Sequence, residues 1–341
     1  MITVCSSLAF KMNDALRFYN AGGGAELQNK GTIDMLNVFS RFVAFLPLSW
    51  AMAFGRFIGW IWYHLVPFRR GLAMRNINRA LGKEMSRKEQ KKAIRELFSN
   101  FCMYIMEILR IPHMTLEENK KLVQIDNWEH VDAALERGKG VILVATHLDN
   151  VDIGGCSMAM RGAPIAVVVK EMGKTAEQFI SSVRENTGVT IVSRKGTKNV
   201  IKELLAENKI VTLVIDQHLA KHRSIVCDFF GELAATTPAP ARFAFETGAT
   251  IIPAVISRKA KPGYHHVKVS PPFELETPYD DVDLNIRHNT ERLNRIAEGW
   301  IRENPNQWWW FHKRWKVQDS PDGWDIPDSL RDRIPVNANE S

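Results

Sequence analysis

The sequence predicts an α/β fold: a mostly parallel central sheet with flanking helices, preceded by membrane-associated helices. Three observations predict it. Beyond about Pro112, short β-branched runs alternate with helix-forming stretches, the pattern of repeated strand–helix units. Residues 35–68 are instead strongly apolar and aromatic, without the strand–helix rhythm. Finally, the buried-strand pattern Val141–Ala145 stops at Thr146 and His147, with Asp149, Asn150 and Asp152 just beyond. Polar groups at the carboxyl end of such a strand fall where open α/β sheets bind ligands.

Taken in order, residues 1–34 read as a poorly ordered lead-in, broken at Gly22-Gly-Gly24. Residues 35–70 read as a membrane anchor. Arg41, Pro47 and Arg56 interrupt the apolar run, so no uninterrupted stretch reaches the ~18–20 residues that a spanning helix prefers. Four aromatics in residues 57–63, followed by Arg69-Arg70, suit the lipid interface. The preferred reading is an embedded or interfacial helical hairpin; one tilted span and a buried helix pair are the alternatives. Residues 71–317 form the α/β domain, whose first part, to Arg95, is rich in Lys and Arg and would lie against anionic headgroups.

Within that domain, strands are expected at 123–125, 141–145, 165–169, 190–192, 210–215 and 250–256. Helices are expected at 129–137, from the His147 loop to about 161, and at 176–186, 200–207 and 239–247. Residues 285–304 place Ile286, Leu293, Ile296, Ala297 and Trp300 at helical spacing. Residues 318–341 are rich in Asp and Pro and read as a flexible tail.

Composition narrows the function. The net charge of +7 fits anionic partners. No zinc-finger spacing, RNP-like string or helix-turn-helix pattern supports nucleic acid. The four cysteines are scattered, which argues for a reducing compartment and against a disulfide framework or zinc site. A cleaved signal peptide is not expected from the charged first thirty residues. Gly173-Lys-Thr175 lacks the earlier glycine of a P-loop, and neither G-x-G-x-x-G nor G-x-S-x-G is present.

A histidine closing a strand, with carboxylates nearby, can take a proton from a hydroxyl. The same residues leave other readings open: a metal-dependent hydrolase using His147, Asp149 and Asp152, or a lipid-binding protein without catalysis. Trp308-Trp-Trp-Phe-His-Lys-Arg-Trp315 mixes broad aromatics with cations and suits a membrane–water boundary. Phe229-Phe230-Gly231 reads either as core or as the wall of an acyl channel.

His147-Leu-Asp-Asn-Val-Asp152 resembles the H-x-x-x-x-D/E motif of the glycerolipid and lysophospholipid acyltransferase superfamily. The order of further blocks resembles the bacterial late acyltransferases of lipid A biosynthesis, the lauroyl and myristoyl transferases. These blocks are Arg69-Arg70, Asn76-Ile-Asn-Arg-Ala, Glu107-Ile-Leu-Arg, Arg184 before Gly188, Asp216-Gln217, Phe229-Phe-Gly231 with Thr236-Thr237, and Asn304-Pro through Trp315. The resemblance spans about residues 35–316. It departs at Lys170, where many relatives have arginine, and Asp152 stands where some lauroyl transferases have glutamate, Asp being also an accepted form.

The resemblance implies a membrane-bound O-acyltransferase at the cell inner membrane, its catalytic domain on the cytoplasmic side. It would move a fatty acyl chain from acyl carrier protein, or from coenzyme A, to a hydroxyl of a lipid A precursor, with no metal and no other cofactor. A lysophospholipid, glycolipid or aminolipid is the alternative acceptor, since the family includes phosphatidylinositol mannoside acyltransferases. His147 would be the general base, oriented by Asp152. Lys170, Arg184 and Arg194 would contact phosphate or oxyanion, and Asp216 and Gln217 would support the site at the same sheet edge.

Overall fold

The structure, a computed structural model, describes residues 26–169, 175–193 and 197–333. It opens with α1 (Glu26–Phe45) and α2 (Leu48–Leu65), separated at Pro47, whose fixed φ and missing N–H suit the start of a helix. The basic α3 (Arg70–Leu81) and the long α4 (Arg87–Arg110) follow. Ser86 and Glu89 form a capping box that starts α4. Gly55 and Gly59 let α2 lie directly on α4. A Cβ at Gly59 would come within 2.4 Å of the Phe98 carbonyl, and one at Gly55 within 3.0 Å of that of Cys102. This close crossing fixes the helix that delivers Tyr104 and Glu107 to the site.

The sheet has seven strands in the order β1-β9-β8-β2-β5-β3-β4. They are β1 (Val123–Asp126), β2 (Val141–Ala145), β3 (Ile165–Val169), β4 (Thr190–Ser193), β5 (Ile210–Val214), β8 (Thr250–Arg258) and β9 (His265–Val269). All neighbours run parallel except β8 and β9, which pair antiparallel. The flanking helices include α5 (Leu116–Leu122), α6 (Glu129–Glu136), α7 (Val151–Met160), α8 (Thr175–Asn186), α9 (Thr197–Ala206), α10 (Ala239–Thr247) and α11 (Val282–Glu303).

Both sheet faces are covered. Ile142, Val144, Val211 and Leu213 enter one apolar cluster, while Val141, Leu143 and Ile210 enter another on the opposite face. Period-two alternation with both sides buried explains why these strands read as unbroken apolar runs.

Several expectations change. β9 reads His-His-Val-Lys-Val and shows no apolar run, so it escapes a pattern search. Phe230 and Gly231 form the two-residue turn of a separate hairpin, β6 (Ile225–Phe229) and β7 (Glu232–Thr236), with φ of 57° and 80°. Two positive φ angles are what a tight hairpin turn of this hand requires. Phe229 is fully buried in the core and Phe230 nearly so, which is the core alternative of the two readings. Trp308, Trp310 and Trp315 are 1% exposed or less and pack in the main core, so they are not a membrane–water belt. Beyond α12 (Lys316–Asp319), Trp324, Ile326 and Leu330 pack on Val226, Leu233 and Ala235 of the hairpin, so the chain is folded as far as that cluster.

At the other end, helix α1 begins at Glu26, ahead of the expected boundary. Among the described residues, no helix is long and apolar enough to cross a membrane.

Candidate active site

The parallel register aligns Ala145 of β2 with Val214 of β5. Two residues beyond each partner lie His147 and Asp216, which therefore meet at the carboxyl edge of adjacent central strands. Asp216 takes the His147 backbone N–H on Oδ2 at 2.9 Å and faces the imidazole Nδ1 with Oδ1 at 2.8 Å. Trp308 adds an indole N–H to Oδ2 at 2.6 Å. Burial would raise the Asp216 pKa, but the charge and hydrogen bonds of His147 and the Trp308 donor outweigh it and hold the carboxyl down at about 2. An ionised carboxylate only accepts, so Nδ1 carries the proton and Nε2 presents its lone pair. The His147 side chain is 20% exposed, against 1% for Asp216. This pair can accept a proton from an incoming hydroxyl.

The loop that carries His147 is clamped on its other side. Trp309 donates its N–H to the His147 carbonyl at 3.2 Å, and Asp149 donates its N–H to the Gln307 carbonyl at 3.0 Å. Asp149 adopts φ of 51°, which a non-glycine residue holds only when its surroundings fix it. Those surroundings are a buried ionic group. Arg258 pairs with both Glu107 oxygens and reaches Asp149 at 2.9 Å; His265 Nδ1 lies 2.5 Å from Asp149 Oδ2, and its Nε2 lies 3.3 Å from Glu107. Two acids and two cations balance without solvent. Asn150 links this group to the following helix, donating to Glu107 at 2.9 Å and capping α7 through the Ile153 N–H.

Asp152 is not the partner of the His147 ring, and the expectation that it orients the imidazole is corrected. It sits in the first turn of α7 and accepts from Arg184 Nε at 2.6 Å and from the Tyr104 hydroxyl at 2.7 Å. The last residue of the motif lies in a helix and faces α8 and α4, while the strand register gives Nδ1 to Asp216. Arg184, expected at a phosphate or oxyanion, is thus paired with Asp152. Burial and the Asp152 charge push the Tyr104 phenol well up, which keeps it a donor. Lys170 and Arg194 lie outside the described residues.

Gln217 is at the centre of the site: its Nε2 is 2.9 Å from His147 Nε2 and 2.9 Å from His312 Nε2. Burial, and then the proximity of His147, lower the His312 pKa to about 3. The backbone around His312 is fixed by Asn76, whose amide donates to the carbonyls of Trp310 and His312 at 2.8 and 2.6 Å.

His147, Asp149 and Asp152 engage three separate sets of partners. Among the described residues, no three His, Cys, Asp or Glu side chains are grouped to hold a metal ion. Tyr104, Glu107, Arg258, His265 and His312 join the site from distant elements, and single-sequence motifs give no spacing that links them. Glu107 and His312 fall inside blocks that carry the resemblance, while Tyr104, Arg258 and His265 have no such signal.

A family model described as bacterial lipid A biosynthesis acyltransferase matches residues 28–317. The chain is 24% identical over 241 residues to the lipid A biosynthesis lauroyltransferase of Escherichia coli K12, covering 70% of this chain and 76% of that protein. It is 22% identical over 292 residues to the palmitoleoyltransferase of lipid A biosynthesis from the same organism, covering 80% and 93%. Similarity extends to the phosphatidylinositol mannoside acyltransferase of Mycolicibacterium smegmatis, at 28% identity over 188 residues, 52% of this chain and 60% of that one.

Proposed function

Because this chain belongs to the bacterial lipid A biosynthesis acyltransferase family and is an acyl-transferring enzyme, we propose that it acylates a hydroxyl of a lipid A precursor, with His147 as general base. The observation that carries the mechanism is the Asp216–His147 pair at the carboxyl edge of the sheet, with the His147 side chain 20% exposed. The acceptor hydroxyl gives its proton to Nε2 as its oxygen attacks the thioester carbonyl. The tetrahedral intermediate collapses with loss of the C–S bond, and the proton passes from Nε2 to the departing sulfur. Asp216 keeps the productive tautomer and stabilises the imidazolium. An acyl carrier protein thioester is the preferred donor, with coenzyme A as the alternative. Neither role asks for a metal.

The reading places the enzyme at the inner membrane with the catalytic domain on the cytoplasmic side, and two surface features support a membrane face. Met35, Val38, Phe39, Phe42 and Phe45 on α1 and Trp50, Phe54, Phe57, Trp60 and Leu65 on α2 are exposed at helical spacing. An apolar stripe of this size is an interaction surface, and its Trp and Phe content suits the headgroup boundary. A pocket of about 530 Å³ lies beside Tyr63 of α2 and is lined by Arg70, Arg75, Arg87 and Lys91 with no carboxylate. Cations next to an apolar stripe fit anionic headgroups.

The similarity to a phosphatidylinositol mannoside acyltransferase favours a second acceptor, a glycolipid, with the same chemistry. Lipid profiles of host cells carrying wild type, a deletion or His147→Ala decide between them. Loss of one acyl chain from lipid A in both altered strains is expected. Loss from another lipid replaces the acceptor, and no change in any lipid overturns the transferase reading.

A further inference from the structure

Gln217 stands 2.9 Å from the one nitrogen on which the chemistry depends. Its orientation follows from its neighbours. Asp216 fixes the proton on His147 Nδ1, so Nε2 is an acceptor and whatever faces it must donate. The Gln217 atom facing it is therefore the amide nitrogen. The same nitrogen faces His312 Nε2 at 2.9 Å; an amide nitrogen only donates, so the neutral His312 ring completes this contact as the tautomer that accepts on Nε2. One NH₂ group thus bridges two histidine lone pairs.

This arrangement cannot survive substrate binding unchanged. The attacking hydroxyl needs the Nε2 lone pair that Gln217 occupies, so the amide must yield that contact while His312 retains the other. The displaced N–H is then about 3 Å from the position of the attacking oxygen, and the thioester carbonyl oxygen is one carbon away from it. Once the hydroxyl proton reaches Nε2, two donors would face each other, and Gln217 cannot return until the proton has moved on to sulfur.

We infer that Gln217 is a catalytic residue: its amide N–H caps His147 in the ligand-free enzyme and donates to the thioester oxygen as that atom becomes an oxyanion, while His312 is the positioning residue that holds the amide by its second hydrogen. The O–C bond forms as the carbonyl π pair moves to oxygen. That pair returns as the C–S bond breaks, so Gln217 stabilises charge without gaining or losing a proton. The inference rests on the acyl-transfer reading with His147 as base.

Its test uses the full chain. Host cells lacking the gene are complemented with wild type, Gln217→Glu, Gln217→Met, His312→Phe, His312→Gln or His147→Ala at matched protein levels. A pulse of labelled acetate then follows chain addition to whichever lipid changes in mass. Gln217→Glu and Gln217→Met are expected to slow transfer on the order of 10²-fold, the loss typical of one oxyanion donor. His312→Phe should lose about tenfold, and His312→Gln, which keeps an acceptor, should recover most of it. Nitrogen NMR of the purified wild type should show His147 protonated on Nδ1 alone. Gln217→Glu should convert it to the imidazolium near neutral pH, because a carboxylate accepts from Nε2–H, and Gln217→Met should not. Transfer by folded Gln217→Met within about threefold of wild type, with His147→Ala inactive, overturns the role of Gln217 alone. A wild-type His147 protonated on Nε2 also overturns it. Undiminished transfer by His147→Ala overturns the base assignment beneath it.

Discussion

The loop after β2 carries one member of each of two histidine–aspartate pairs: His147 with Asp216, and Asp149 with His265. Both place a carboxylate on Nδ1, at 2.8 and 2.5 Å. They differ at the other ring nitrogen and in access to solvent. His147 Nε2 meets a neutral amide on the partly open side of the site. His265 is fully buried, and its Nε2 faces a second carboxylate, Glu107, at 3.3 Å. Burial opposes the His265 charge, but the two acids prevail and push its pKa up to about 9. One pair is thereby free to cycle a proton and the other is held as a cation. Environment at Nε2, and not the histidine–aspartate contact itself, separates the two roles.

The sharpest way to break this comparison is at the two carboxylates. Asp216→Asn puts an amide N–H against Nδ1 and favours the wrong tautomer. A loss of kcat of about 10⁴-fold is expected, far beyond what the accompanying loss of stability would account for. Steady-state transfer on purified protein measures it, and a loss below about tenfold would move the orienting role elsewhere. In the second pair the damage falls on stability. Arg258→Met leaves the buried Glu107 and Asp149 to share the charge of His265, and should lower unfolding free energy by about 3–5 kcal/mol. Denaturant titration reads this, and an unchanged midpoint would show that the group does not hold the loop.

pH separates the pairs further. The His265 pKa lies above its ordinary value, so its stabilising contribution is complete below about pH 6.5 and is lost as pH rises through about 9. The gap in melting temperature between wild type and His265→Phe should therefore narrow across that window. Asp216 has the opposite sign. Its pKa is depressed to about 2, so its contribution is present above the ordinary carboxylate range and fades as pH falls toward that value. A gap for His265→Phe that widens with alkali would show that the buried histidine is neutral.

The same contrast explains what could be read from the sequence. The strands of the central sheet, including Val141–Ala145 and Ile165–Val169, carry unbroken β-branched runs because both faces are buried. His147, Asp216 and Gln217 were visible because each follows such a run, at the edge where apolar character stops. β9 was hidden, since His265 and His266 interrupt the pattern and its pairing partners are set by tertiary contacts. Asp152 misled for a related reason. Spacing puts it near His147 along the chain, but the helix that starts at Val151 turns its carboxylate toward α8 and α4. Strand register, which no spacing of five residues encodes, supplied Asp216 in its place.

The smallest expected effect tests that last substitution of roles. Tyr104 donates its hydroxyl to Asp152 at 2.7 Å, and its ring packs on Phe101 and Trp309 at centroid distances of 5.6 and 5.2 Å. Tyr104→Phe preserves that packing and removes one hydrogen bond to a buried carboxylate, while Arg184 stays paired with Asp152 at 2.6 Å. A hydrogen bond to a charged group contributes about 1.5–3 kcal/mol, and the lower end is expected here because the arginine remains. If Asp152 acts only through Arg184 and Tyr104, kcat should stay within about threefold of wild type while stability falls by that amount. A drop in kcat approaching that of Asp216→Asn, with stability intact, would return the orienting role to Asp152 and dissolve the distinction between the loop's two carboxylate partners.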